Sequence, residues 1–100
     1  MAIHGVPTSD VIARAQYGDA AYEALSTTAQ DVTLTAGLYY MVWADVEWYF
    51  RNAATATTTN GILLNKGEKI YVWASTNKLT ISGILASGTG NIGYAAIVAE

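Results

Sequence analysis

The residues that could do chemistry in this chain are few. Asp45 and Glu47 stand two apart within an aromatic run, "LYYMVWADVEWYFRN", Leu38 to Asn52. Two carboxylates beside aromatic rings are what a glycosidase sets around a sugar, one as acid and one as base or nucleophile. Such pairs flank the substrate from opposed sides and usually come from separate strands. An acid on each side of Val46 fits more simply a strand corner where polar groups reach water, and that is how Asp45 and Glu47 are read. His4 is the sole histidine and cysteine is absent, so a metal site or a nucleophile–histidine triad would lack its partners. "SGTGNIG", Ser87 to Gly93, is glycine-rich but follows neither the P-loop nor the dinucleotide fingerprint. It reads as a hairpin between two strands, with Gly88 and Gly90 supplying positive φ. No catalytic residue, cofactor or metal ligand is assigned, and the chain is expected not to be an enzyme.

The bulk composition narrows the classes further. One hundred residues at 52% hydrophobic make one domain with a modest core, burying roughly 65% of the unfolded surface. Without cysteine, neither disulfides nor thiolate metal sites can brace it. The charged fraction of 13% is about half the usual share, as suits a protein that covers much of itself with neighbours. Five basic residues against eight acidic ones give a net charge of −3. The bases, Arg14, Arg51, Lys66, Lys69 and Lys78, are scattered singly, which argues against nucleic acid. No apolar run reaches the roughly 18–20 residues that span a bilayer. The start, "MAIHGVPTSD", lacks the basic and apolar regions of a signal peptide, so folding in a reducing cytoplasm is expected.

Residues 1–19 form the first unit. They hold the only Pro and the only His and show no sustained alternation. Ser9 could cap a short helix running to Tyr17, with Gly18 as its stop; an extended, irregular N-terminal arm is the equal alternative. From Ala20 to the end the period is two. Val32 and Leu34 alternate with Asp31, Thr33 and Thr35, and Ala36–Gly37 is a turn signal. In "LYYMVWA", Leu38, Tyr40, Val42 and Ala44 face one way and Tyr39, Met41 and Trp43 the other. Asp45–Val46 makes a corner into "EWYFRN", where Trp48 and Phe50 share a face opposite Glu47, Tyr49 and Arg51. "AATATTTNG" reads as a long exposed loop ending in an Asn-Gly turn. "ILLN", a "KGE" turn and "KIYVWAS" follow, the last with Ile70, Val72 and Ala74 against Tyr71 and Trp73. Asn77–Lys78 reads as a hairpin turn into "LTISGIL", and "IGYAAIV" closes the fold. Seven or eight short strands at such spacing predict an all-β, antiparallel β-sandwich or small barrel over residues 20–100.

Three Trp, seven Tyr and one Phe need an assignment. Platforms for single-stranded bases interleave rings with basic residues, and this chain does not. A sugar groove, as in carbohydrate-binding modules of sandwich shape, is the alternative that stays open. Core packing is the commonest fate of such rings, each burying on the order of 150–250 Å². Trp48 and Phe50 are assigned to the core. Tyr39, Tyr49 and Tyr71, on the opposite faces, are the protein-contact candidates, together with Ile3, His4, Val6 and Pro7 of the arm.

The segment from "TLTAGLYYMVWADVEWYFRN" to "SGTGNIGYAAI" resembles a group of short virion proteins of tailed bacteriophages. Their pattern is an Ala-Gly turn opening a strand that ends in Ala-Asp, then an aromatic strand, an Ala/Thr-rich loop, a short apolar strand, a Gly-Glu turn and an "SGTGN" hairpin. Here those elements fall at Ala36–Gly37, Ala44–Asp45, Trp48–Phe50, Ala53–Thr59, Ile62–Leu64, Gly67–Glu68 and Ser87–Asn91. The resemblance covers about two-thirds of the chain and leaves the first third unmatched. It implies a β-sandwich structural protein of the particle, foremost a capsid decoration (cement) protein on the outer surface of the major capsid protein. Minor head, neck or tail components are the alternatives within the group. A homo-oligomer, guessed as a trimer, is the expected assembly. The expected location is the virion capsid surface after synthesis in the host bacterial cytoplasm, with no nucleic-acid or membrane partner.

Overall fold

The computed structural model of the chain describes residues 16–76 and 79–98. The readings placed on Ile3, His4, Val6, Pro7 and Ser9, and on the Asn77–Lys78 turn, lie outside the described residues. Among the described residues there are nine strands: β1 (Gln16–Tyr17), β2 (Ala21–Leu25), β3 (Gln30–Thr33), β4 (Tyr39–Ala44), β5 (Trp48–Asn52), β6 (Ile62–Leu64), β7 (Ile70–Trp73), β8 (Thr80–Ile84) and β9 (Gly90–Val98). They form two antiparallel sheets, a small β-sandwich. The front sheet runs β1-β9-β4-β7, with β2 also paired to β9; the back sheet runs β3-β8-β5-β6. Alternation, clearest in β4, turns the apolar side chains of each sheet to one face, which must be covered.

The core lies between the sheets. From the front come Tyr40, Val42, Ala44, Val72 and Ile92, and from the back Val32, Trp48, Phe50, Leu64 and Ile81. Trp48 and Phe50 occupy the interior as their spacing requires, with Trp48 at 0% exposure and the two rings edge to face, centroids 5.6 Å apart. Tyr40 is buried with its hydroxyl accepting a hydrogen bond from the Thr35 amide at 3.0 Å, which satisfies the polar end of an otherwise apolar side chain.

The pairing differs from the turn-by-turn reading in three places. Asp45–Val46 does join β4 to β5, but those strands sit in opposite sheets. The "SGTGN" segment is not a hairpin, because β8 belongs to the back sheet and β9 to the front. Gly88 has φ +79 as expected, whereas Gly90 has no positive φ and opens β9. The link from β7 to β8 also crosses between sheets. The physical reason is common to all three. Alternation fixes which side chains face inward, while a turn that reverses the chain serves equally for a hairpin or for a step across the core.

Two further expectations are corrected. Gln16 and Tyr17 pair with Val98 and Ile97, and the Gly18 amide donates to the Ala96 carbonyl at 2.8 Å. The sheet therefore begins inside the segment read as an irregular arm, and no helix extends through Tyr17. The loop after β5 is not simply exposed. Ala53 takes the left-handed conformation at φ 62 and donates its amide to the Thr80 carbonyl. The loop then folds back over the outer side of the back sheet, where the Ala56 amide donates to Ser82 Oγ at 2.9 Å. Ala56 and Ser82 are both buried there. A serine on the outward side of a central strand thus gains a backbone partner and a dry cover.

Candidate protein-contact face

The register of the front sheet sets its outward side chains in rows. Tyr22 on β2, Gly93 on β9 and Trp43 on β4 are directly opposed; so are Ala95, Met41 and Tyr71; so are Ile97, Tyr39 and Trp73. Directly opposed residues share a face, so these nine positions lie on one outward side of the front sheet, with Gly93, Ala95 and Ile97 themselves buried there. That side is apolar and aromatic, and none of the nine carries a charge. Tyr22 and Trp73 are exposed, at 61% and 42%, while Tyr39, Met41, Trp43 and Tyr71 are half-buried.

Local packing holds these rings in place. The Trp43 indole lies across Gly93: a Cβ at that glycine would meet the ring, its Nε1 atom at 2.8 Å. Tyr22 meets Trp43 edge-on with centroids 6.1 Å apart, and Tyr39 tilts against Trp73 at 4.8 Å. A glycine inside a strand pattern marks close approach, and Gly93 in "NIGYAAIV" is that signal. Sequence reasoning assigned no role to it, nor to Tyr22, Met41, Trp43 and Trp73 as contact residues.

Of the three tyrosine candidates, the structure brings Tyr39 and Tyr71 together and leaves Tyr49 apart. Tyr49 is half-buried on the outer side of the back sheet, opposed to Leu63 and Ile84. That side is mixed in character: Asp31, Arg51 and Ser82 share a row across it, and the loop after β5 covers part of it. The two outer faces are therefore unlike, and only the front one is an uncharged aromatic surface.

Asp45 ends β4 and ties that end to β9. Its Oδ1 accepts the Asn91 amide at 2.8 Å and its Oδ2 accepts from Asn91 Nδ2 at 3.2 Å, while its own amide donates to the Asn91 carbonyl at 3.1 Å. The Asn91 amide, then its side chain, hold the Asp45 carboxyl below the ordinary aspartate range against a small opposing effect of burial. A lowered folded-state pKa stabilises above the unfolded value of about 3.9, and the contribution disappears as pH falls through the folded value. Asp45→Ala is expected to cost about 1 kcal/mol at neutral pH, a hydrogen-bond figure discounted for solvent exposure. The loss should shrink toward zero as the pH drops below the aspartate range. Urea titrations of both proteins at neutral and strongly acid pH check this; a difference that grows on acidification would contradict it. Glu47, the other acid of the pair, is exposed.

Among the described residues no three His, Cys, Asp or Glu side chains are grouped as a metal site requires. No family model, curated protein or solved structure matches this chain.

Proposed function

We propose that this chain is a non-enzymatic structural protein of a tailed-phage virion, foremost a capsid decoration protein. In this reading it binds the outer surface of the major capsid protein and stabilises the shell. The observation that carries the reading is the uncharged aromatic outer face of the front sheet, Tyr22, Trp43, Met41, Tyr39, Tyr71 and Trp73. Rings held by their neighbours lose little conformational freedom on docking and bury a large apolar area, which is why Tyr and Trp dominate binding hot spots. The sparse charge of the chain and the resemblance over its last two-thirds support the same reading. Stabilisation would be linkage: a ligand that prefers one state of the shell shifts the shell toward it by its differential binding free energy. Repetition over a lattice lets modest contacts sum.

The test mixes the purified protein with capsids that lack it, and follows both co-sedimentation and resistance of the particle to heat. Binding with increased heat resistance is the expected result. Tyr71→Ala together with Trp73→Ala should weaken binding by about 30-fold or more, the scale of a hot-spot loss, with unchanged circular dichroism. Absence of binding, or equal binding by the double variant, rejects the reading. The aromatic face also favours one competitor, a carbohydrate-binding module. Glycan-array binding abolished by the same two substitutions would select it instead. Light scattering of the free protein measures the proposed oligomer, with a trimer as the expected result.

A further inference from the structure

We propose that Asn60 is a latent deamidation site that the fold keeps closed, so that hydrolysis of its side-chain amide reports and then fixes opening of the loop over the back sheet. Among the chain's asparagines, Asn52, Asn60, Asn65, Asn77 and Asn91, only Asn60 is followed by glycine. The reaction needs no co-reactant but water. The backbone nitrogen of Gly61 attacks Cγ of Asn60 and loses its proton, ammonia leaves with the Nδ2 atom, and a five-membered succinimide forms. Water then opens the ring at either carbonyl, giving aspartate or isoaspartate. A glycine in the following position offers the least steric hindrance to ring closure.

The fold requires that glycine for a reason unrelated to the reaction. A Cβ at Gly61 would lie 2.8 Å from Tyr49 Cβ and 2.9 Å from the Thr57 carbonyl oxygen. The close approach of loop and strand therefore fixes a hydrolysable pair with Asn60 exposed and Gly61 half-buried. It also locks that pair. The Gly61 amide, the attacking group, donates to the Thr57 carbonyl at 2.9 Å. Asn60 Oδ1 accepts from the Thr57 amide at 2.7 Å, Nδ2 donates to the Thr55 carbonyl at 3.2 Å, and the Asn60 amide donates to Thr57 Oγ1 at 3.0 Å. A turn closed by Gly61 onto Thr57 directs the nitrogen at that carbonyl and not at the side chain's Cγ. Ring closure must then wait for the turn to open.

The product would not fit where the amide did. A carboxylate has no hydrogen to offer the Thr55 carbonyl, and isoaspartate adds a methylene to the main chain just before β6. Thr55 is next to Ala56, whose amide caps Ser82. Hydrolysis at residue 60 thus loosens the cover over Ser82 and makes the opening permanent.

The experiment incubates the native protein at mildly alkaline pH and 37 °C, beside the same protein unfolded in urea, and maps peptides for the mass gain of amide hydrolysis and for isoaspartate. Deamidation at Asn60 should be at least about tenfold slower in the native protein, because only the locally open fraction reacts. Thr57→Val, which removes the Oγ1 acceptor, should accelerate it in the folded state. Aged wild-type protein should show faster hydrogen exchange at the Ala56 amide than fresh protein. Equal rates in native and unfolded chain, hydrolysis falling mainly on another asparagine of the unfolded chain, or unaltered exchange at Ala56 after full conversion would overturn the proposal. The native-versus-urea comparison uses no variant, so it stands even if Thr57→Val folds poorly.

Discussion

Trp48→Ala is expected to destabilise the protein by about 3–5 kcal/mol, the range for removing a large aromatic from a packed core. For a domain whose total stability falls near 5–15 kcal/mol, that is about a fifth or more of what holds it folded. The reason is position. Trp48 is the largest of the fully buried side chains and packs against Phe50. Its strand pairs with β8 on one side and β6 on the other, so the hole would open in the centre of the back sheet, where neighbours cannot close it without breaking ladders. Urea unfolding is the measurement, with an unchanged slope required so that the midpoint shift reports stability alone. A loss below about 1 kcal/mol would show that the core does not depend on this ring. Trp48→Phe should cost much less than Trp48→Ala. The indole Nε1–H is buried without a hydrogen-bond partner among the described residues, and replacing an unpaired buried donor with an apolar group relieves a desolvation cost of about 1–3 kcal/mol. That relief offsets part of the lost ring.

Gly83→Ala is the second large effect, about 1–3 kcal/mol or more from overpacking. Gly83 sits inside β8, opposed to Phe50 on one side and Gln30 on the other. A Cβ there would lie 2.8 Å from Trp48 Cε3, 2.9 Å from Trp48 Cζ3 and 2.9 Å from Leu25 Cδ2. All three atoms belong to side chains at 0–1% exposure, so none can swing aside into solvent. The expected outcome is a lowered thermal midpoint, by roughly 4–8 °C per kcal/mol for a domain of this size. The two predictions are coupled and the coupling is itself testable. Trp48→Phe removes part of the ring that a Cβ at Gly83 would strike. The double variant should therefore be more stable than the sum of the singles by about 0.5–3 kcal/mol, the range for contacting residues. Strict additivity would mean that the glycine is there for some reason other than the tryptophan.

Much of this architecture was legible in the residues alone. Period two from Ala20 onward places Tyr40, Val42 and Ala44 on one side and Tyr39, Met41 and Trp43 on the other, and that division is the one found. Trp48 and Phe50 fall in the core for the same reason, since successive strand side chains must point oppositely. The apolar strands at Ile62–Leu64 and Ile70–Trp73, and the positive φ at Gly37, Gly67 and Gly88, follow from local patterning and turn chemistry.

Which strands would be neighbours was not legible. Alternation is a local property, whereas β9 pairs with β1, β2 and β4, partners dozens of residues away in the chain. Their pairing is decided by burial of the whole, so the step between sheets at "SGTGN" resembled a hairpin, and the corner at Asp45–Val46 did not show that it crosses between sheets. The glycines carry the same lesson. Gly83 and Gly93 sit in strands, where no turn demands them, and only tertiary packing explains them: Trp48 and Leu25 press on one, Trp43 lies over the other. The contact candidates divided for this reason too. Sequence placed Tyr39, Tyr49 and Tyr71 outward, because each alternates with a buried neighbour. Only the assembled sheets put Tyr39 and Tyr71 on one uncharged face and Tyr49 on the other side of the molecule. Facing is dictated by the covalent geometry of each strand; company is dictated by what the two sheets must cover.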